Sequence, residues 1–321
     1  MAFWHFVLMQ TLSFFYCKLV TNKRVCLSMI IRTTRDDGIG NQLLSIRDFL
    51  IEVNGLKFND EIIELDFCTY KFSPPLLGIF FAAFLEGNPK YRAVNIGSTG
   101  YLNYQYFPFG LKPEVIEEWE QLLDAYKCKS YLPLIRFSTL KNDDATQTRN
   151  NVISHANLMI GSITGMPANY KSAISYLLSE ISDNIVDHSR AEYGWISFQY
   201  YPQKGYLDLC IADAGIGLLQ SYKKYRGEKD YSHIENHLEA VEYVIKGEST
   251  KDQHERGYGV HTSREILLKG LKGKFVMFSG NGLMIDYNLL DFQCHYDGTL
   301  VMFRIPCGNY DDNFGIYSFV E

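Results

Sequence analysis

LLSEISDNIVDHS, residues 177–189, combines an apolar stripe with a row of polar side chains. Apolar residues recur through residues 169–188 with the helical period of about 3.6, and they form a core-facing stripe that comprises Ile174, Leu177, Leu178, Ile181 and Ile185. Glu180, Asn184 and His188 follow one another at a spacing of four residues, so they lie in a row on an adjacent helix face. The segment is therefore predicted to be a helix, and its polar row is either a solvated face or part of a functional site.

A glycine-containing segment follows this helix. In YLDLCIADAGIGL, residues 206–218, a predicted buried strand ends at Asp213 and continues into Gly215 and Gly217. Such a strand end offers a carboxylate acceptor beside backbone that a flat ligand can approach closely. Gly-x-Gly alone is weak evidence, so this segment counts only in combination with its neighbours.

A second glycine pair, Gly257 and Gly259, immediately precedes a predicted helix with the sequence VHTSREILLKG. Exposed N–H groups at a helix N-terminus are well suited to receive phosphate groups. The segment is not a Walker A loop, because no Gly-Lys-Ser/Thr follows. Further on, KFVMFSGNGLMI and GTLVMFRIP are predicted to be two closing strands, with a hairpin turn in the first at residues 280–282.

These four pieces, in this order, resemble the GHKL ATPase superfamily, which includes DNA gyrase, heat-shock chaperone, histidine kinase and mismatch-repair ATPases. The resemblance covers residues 150–308. It implies an α+β fold of the Bergerat type, an α/β sandwich with a mixed sheet, that binds ATP and Mg²⁺. His188 stands where histidine kinases usually carry a second Asn, and in this it resembles the anti-sigma-factor serine kinases.

The resemblance also implies roles for individual residues. Glu180 would be the catalytic base, Asn184 the Mg²⁺ ligand and Asp213 the acceptor from the adenine amino group. The remaining cofactor-binding positions are His188, Gly215, Gly217, Lys251, Gly257, Gly259 and Thr299. For two of them a structural alternative stays open, since His188 could be a hydrogen-bonded residue at the helix end and Lys251 an ordinary solvated lysine.

The sequence between residues 29 and 135 alternates strand and helix patterns. The segments are IIELDF (strand), LLGIFFAAFL (buried helix after two prolines), YRAVNIG (strand) and KPEVIEEWEQLLDAYK (amphipathic helix). Alternating strands and helices predict a small α/β unit. The polar segment STLKNDDATQTRNN, residues 138–151, is predicted to be the boundary to the second domain.

This first unit weakly resembles the STAS domains of anti-sigma-factor antagonists, in which a strand ending in Asp leads through a short loop to a helix. The phosphorylatable serine of that family would correspond to Ser73. Two prolines follow Ser73, where the family has small residues. A scaffold or dimerisation unit, and hence a homodimer, is the alternative interpretation.

The two ends of the chain are predicted to lie outside these domains. Residues 309–321 form a C-terminal tail, and residues 1–28 an apolar N-terminal extension. Three interpretations of the extension compete: a packed or disordered segment, a weak membrane contact through residues 2–17, and an over-called start with the true one at Met29. The apolar run is shorter than the ~20 residues that span a bilayer.

Composition restricts the partners and the compartment. The formal net charge is -6 over 321 residues, which provides no basic field for nucleic acid. The seven cysteines include no CxxC pair, as expected for reduced thiols of a cytoplasmic protein. A membrane-associated location through the N-terminal segment is the alternative.

The sequence thus predicts an Mg-ATP-binding protein that hydrolyses ATP or phosphorylates a Ser or Thr of a protein partner. The alternative is a nucleotide-gated interaction switch or scaffold, in which a lid segment, residues 218–256, closes over the nucleotide without useful catalysis. A third interpretation is the same fold with an inactive site.

Overall fold

The protein is an α+β protein with two β-sheets. The computed structural model describes residues 16–21, 24–31, 38–55, 62–70, 72–96, 100–247 and 259–320. Of residues 1–28, only parts of the backbone and the side chain of Ser28 fall within this range, so the predicted membrane contact of residues 2–17 lies outside the described residues except for the backbone of residues 16 and 17. Among the helices in the described ranges, none is both long and apolar enough to cross a bilayer.

The first sheet has four strands in the order β1-β2-β3-β4. They are β1 (Tyr16–Thr21), β2 (Arg24–Ile30), β3 (Ile63–Asp66) and β4 (Tyr91–Val94). Strands β2, β3 and β4 are parallel, and β1 is antiparallel to β2. Parallel neighbours need a crossover, and the helices α1 (Ile39–Gly55) and α2 (Pro75–Gly87) lie in the two connections. The predicted strands IIELDF and YRAVNIG and the predicted buried helix are confirmed.

Helix α2 is buried because it is apolar on every side. All residues from 75 to 84 are buried, and the helix begins with a proline in its first turn, where a missing N–H costs nothing. One side faces the first sheet, and the other packs on the second sheet.

The second sheet has five strands in the order β5-β6-β7-β9-β8. They are β5 (Tyr131–Ser138), β6 (Tyr193–Tyr201), β7 (Tyr206–Asp213), β8 (Lys274–Ile285) and β9 (Asn288–Pro306). Every neighbouring pair is antiparallel, so the expectation of a mixed sheet here is wrong. Two of the pairs, β6–β7 and β8–β9, are consecutive strands joined by short turns, which can only connect antiparallel neighbours.

The remaining helices surround this second sheet or connect its strands. They are α3 (Tyr101–Tyr104), α4 (Trp119–Asp124), α5 (Asp143–Thr164), α6 (Ala168–Asn184), α7 (Gly217–Lys223), α8 (His237–Ile245), α9 (Gly259–Glu265) and α10 (Tyr317–Val320). Two π-helical turns, Ile185–Ser189 and Ile266–Gly270, continue α6 and α9.

Two apolar cores lie on opposite faces of the second sheet. One core is shared with α5, α6 and α9. The other encloses α1 and α2 between the two sheets and joins residues of the first unit, such as Phe80, to Trp195, Phe278 and Met302 of the second sheet. The first unit therefore shares one core with the second sheet. The boundary predicted at residue 135 falls inside β5, which pairs with β6.

One helix prediction and one linker prediction need correction. Only α4 within residues 112–127 is α-helical, and residues 113–118 form turns instead, where Glu114 makes an ion pair with Arg136 (2.5 Å between Oε1 and Nη2). The polar segment at residues 138–151 is not a linker, since α5 begins at Asp143. Asn142 caps this helix by accepting from the N–H of Ala145 at 2.8 Å.

Two further elements differ from expectation. The hairpin turn predicted at residues 280–282 is a bulge, because β8 continues through it to Ile285 and the chain reverses after Asp286. The C-terminal tail packs on the protein, where the amide of Asn169 donates to the carbonyl of Phe314 at 2.8 Å and the hydroxyl of Tyr310 donates to that of Thr164 at 3.1 Å.

Candidate functional site

An apolar cleft opens where α6, the end of β7 and the helices α7, α8 and α9 meet. It encloses about 650 Å³, including space open to solvent. Its walls are mainly aliphatic and carry few polar groups, which is the usual make-up of a small-molecule site. The apolar wall consists of Ile181, Ile185, Ile211, Leu218, Val244, Val260, Met277 and Val301.

Five of the predicted site residues line this cleft. They are Asn184, His188, Asp213, Gly217 and Thr299. Gly215 lies just outside, where its N–H donates to Oδ1 of Asp213 at 2.7 Å. Lys251 and Gly257 fall outside the described residues, so their predicted contacts with phosphate are untested.

Of the polar row on helix α6, Asn184 and His188 line the cleft and Glu180 does not, and the helix ends differently from the prediction. The helix passes into a π-helical turn at Ile185–Ser189. A π turn widens the helix by one residue and is frequent at functional sites. As a result, Ser189 lines the cleft beside His188. Its carbonyl accepts from the N–H of Ile216 at 2.8 Å, which ties the helix to the loop after β7.

Asp213 is the buried carboxyl group of the cleft. Burial raises its pKa to about 7, although backbone N–H groups of Gly215 and Thr299 act in the opposite direction by bonding to the carboxylate. Its own carbonyl accepts from the hydroxyl of Tyr296 at 2.8 Å. A costly buried carboxyl group with a perturbed pKa in a cleft is a candidate binding group.

Ser279 is a cleft-supporting residue that the sequence did not reveal. Its hydroxyl is buried, accepts from the N–H of Leu218 at 3.0 Å and donates to the carbonyl of Gly298 at 2.8 Å. The hydroxyl of Thr299 lies 3.4 Å from it. Ser279 thus fixes the start of α7 against β9, and a lone serine before a glycine gives no pattern by which to find it.

Glycine 259 brings the beginning of α9 onto the polar row of α6. A Cβ atom at this position would overlap Oε2 of Glu180 and would lie 3.7 Å from Nδ2 of Asn184. No larger residue fits without displacing the Glu180 carboxylate. The contact joins the second glycine pair to the predicted catalytic and metal-binding residues, which are separated from it by about 75 residues of sequence.

The residues present fit an adenine nucleotide with Mg²⁺. The Nδ2 atom of Asn184 is buried and has no hydrogen-bond partner in the described part of the chain, so the amide nitrogen is available to a ligand. The described residues contain no cluster of three or more His, Cys, Asp or Glu side chains suited to a metal. Mg²⁺ commonly binds through one or two protein oxygens together with phosphates and waters, and a single amide oxygen meets that need.

The chain was also compared with known proteins. No family model matches its sequence, and no curated protein matches it either. The roles of the site residues therefore rest on the arrangement of the cleft and on the motif resemblance.

Proposed function

We propose that this protein binds Mg-ATP in the cleft between α6, β7 and β9, and that it hydrolyses ATP or phosphorylates a Ser or Thr of a protein partner. It would be a GHKL-type ATPase domain joined to a STAS-like unit. The observation that carries this proposal is the position of Asp213, a buried carboxyl group that lines the same apolar cleft as Asn184.

Each end of the cleft suits a different part of the nucleotide. Asp213 would accept from the adenine amino group, and Thr299 would support it with its hydroxyl. At the other end, Asn184 would ligate Mg²⁺ and Glu180 would take the proton of the attacking water or hydroxyl. Phosphoryl transfer depends mainly on positioning and charge neutralisation, and a carboxylate one helical turn from the metal ligand is in a suitable place.

Replacing Asp213 by Asn is expected to weaken Mg-ATP binding by about 10- to 100-fold, since losing a charged hydrogen-bond acceptor costs about 1.5–3 kcal/mol. Calorimetry with a non-hydrolysable analogue measures this directly. Asp208→Asn is an unsuitable control because Asp208 forms a buried ion pair with Arg304. The exposed Asp183→Asn removes the same charge and should leave the affinity unchanged. An unaltered affinity in the Asp213 variant would refute the adenine assignment.

The affinity of the wild-type protein for Mg-ATP should also fall as the pH drops below about 7, the pKa of Asp213. Only the ionised carboxylate has both oxygens available as acceptors. The decrease should approach about tenfold per pH unit, and the Asp213→Asn variant should lack it. Titration of the nucleotide itself is common to both proteins and cancels in the ratio of their affinities.

A nucleotide-gated switch is the second candidate function. It is favoured by the wall of the cleft, to which α8 contributes Val244 and α9 contributes Val260. A ligand bound in the cleft would therefore contact both the lid segment, which contains α8, and the helix that follows it. Radiolabelled ATP separates the two functions. Label transferred to a partner supports the kinase, whereas nucleotide-dependent partner binding without transfer or hydrolysis supports the switch.

A further inference from the structure

Helix α8 rests on the bulge of β8 through its first residue, His237. A Cβ atom at Gly280, whose φ is +65°, would overlap Nδ1 of His237. A Cβ atom at Gly282 would lie 2.8 Å both from the carbonyl oxygen of His237 and from Cγ2 of Val241. Two glycines of the bulge therefore form the surface on which the first turn of α8 sits.

The imidazole of His237 interacts with two basic side chains and one carboxylate. Its ring centroid lies 5.1 Å from that of His295 on β9, and His295 in turn pairs with Asp297 (3.0 Å between Nε2 and Oδ1). Lys223, in the last turn of α7, adds a positive charge that acts on His237 electrostatically. Within the described residues, the bulge of β8 meets His237 through Gly280 and Gly282, and neither of them titrates.

The contact is suited to a neutral histidine. Nδ1 of His237 is buried against Gly280 and has no hydrogen-bond partner among the described residues. Protonation would place an N–H group there without an acceptor, which is costly. Burial lowers the pKa of His237 below its usual 6.5, His295 and Lys223 lower it further, and Asp297 acts in the opposite direction.

We propose that His237 is a pH-sensitive latch, which holds α8 on the bulge of β8 while its ring is neutral and loosens the helix when the ring is protonated. Ala240, Val241 and Ile245 of α8 are buried, so protonation weakens the docking of the helix and does not abolish it, and the first turn keeps its own capping box. Asn236 accepts from the N–H of Glu239 at 2.9 Å, and the carboxylate of Glu239 accepts from the N–H of Asn236 at 3.4 Å.

Release of α8 would change the cleft in two ways. Val244, near the end of α8, is part of the apolar wall. The next residue, Ile245, accepts a hydrogen bond from Nδ1 of His261 on α9 at 2.7 Å, and α9 touches Glu180. Movement of α8 therefore opens the wall of the cleft and loosens the helix that contacts the predicted catalytic residue.

The direction of the pH effect follows from the pKa of His237. This pKa is lower when α8 is docked than when it is free, so the free state binds the proton better. Docking is complete above pH 6.5, the usual pKa of histidine, and weakens as the pH falls through that value. Asp297 raises the pKa of His295, so His295 is charged before His237. Both partners of that pair lie on β9, and the pair persists whether or not α8 is docked.

Hydrogen exchange on the full-length protein without nucleotide tests the latch. From about pH 7.5 to about pH 5.5, protection of the α8 amides, measured relative to those of α5, should decrease, and below pH 6.5 the decrease should be no steeper than about tenfold per pH unit, the limit for one linked proton. His237→Phe keeps a ring on Gly280 that cannot be charged, and its α8 protection should not depend on pH. His237→Asn should behave in the same way, and it replaces the phenylalanine variant in the experiment if that variant does not fold.

A second variant probes the neighbouring charge. His295→Gln removes the positive charge next to His237, which should raise the pKa of the docked His237 and make the decrease in protection smaller than in the wild type. The proposal is overturned if protection of wild-type α8 follows that of α5 at every pH, or if His237→Phe retains the full response. Because no nucleotide is present, neither result depends on the proposed function.

Discussion

Replacing Glu180 by Gln should lower Mg-dependent turnover of ATP, or phosphate transfer to the partner, by about 10²–10⁴-fold, the range typical for the loss of a general base. The variant keeps the shape of the side chain and removes only its ability to take up a proton. Affinity for Mg-ATP should change little, because the adenine end of the cleft is formed by other residues. Steady-state turnover and calorimetry on the same preparations measure both quantities.

Asp183→Asn is a matched control for this experiment. Asp183 lies on the same helix and is exposed, whereas Glu180 contacts the start of α9 at Gly259, yet replacement of Asp183 removes the same charge. It should retain the turnover of the wild type. If Glu180→Gln also retained it, Glu180 would have no part in the chemistry. If the wild type bound Mg-ATP without any turnover or transfer, the switch would be the better description.

The polar groups of the cleft were largely predictable, because each one belongs to a local pattern. Glu180, Asn184 and His188 follow helical spacing, and Asp213 stands at the junction of an apolar strand and a glycine pair. The structure brings the helix and this strand end to one cleft. The atoms that support the cleft were not predictable in the same way. One of them is the backbone carbonyl of Ser189, which every residue type has and which therefore leaves no signal in the sequence.

The end of α6 shows a feature that residue spacing in the sequence does not predict. Spacing alone predicts an α-helix through His188, but the chain passes into a π-helical turn after Asn184. The turn lets the carbonyl of Ser189 reach the N–H of Ile216, a contact with a loop about 27 residues further along the chain. Long-range hydrogen bonds of this kind leave no periodic signal in the sequence.

The first unit provides a second example of a partly predictable feature. The continuous apolar run of α2 predicted a buried helix, and this is confirmed. What covers the helix could not be read from the run itself. Both of its sides are covered, one by the first sheet and the other by β6, β7 and β9 of the second sheet. Such a shared core is a long-range property, because it joins residues more than 100 positions apart.

Phe80→Ala tests this shared core and should lower the free energy of unfolding by about 3–5 kcal/mol, the usual cost of emptying a fully buried phenylalanine site. Phe80 is completely buried, and its ring centroid lies 5.7 Å from that of Phe49 in α1 and 5.6 Å from that of Tyr296 in β9. Denaturant unfolding followed by circular dichroism and by tryptophan fluorescence measures the effect. Trp195, in β6, reports on the second sheet from within the shared core.

One cooperative transition should be seen with both probes, because Phe80 contacts α1 of the first unit and β9 of the second sheet. The matched control is Phe109→Ala, since Phe109 is 59% exposed and its loss should change stability by no more than about 0.5 kcal/mol. A decrease below about 1 kcal/mol for Phe80→Ala would mean that the site collapses easily or is not packed as described. Two separate transitions, with only one of them shifted, would instead mean that the units unfold independently and that the contact of α2 with the second sheet contributes little to stability.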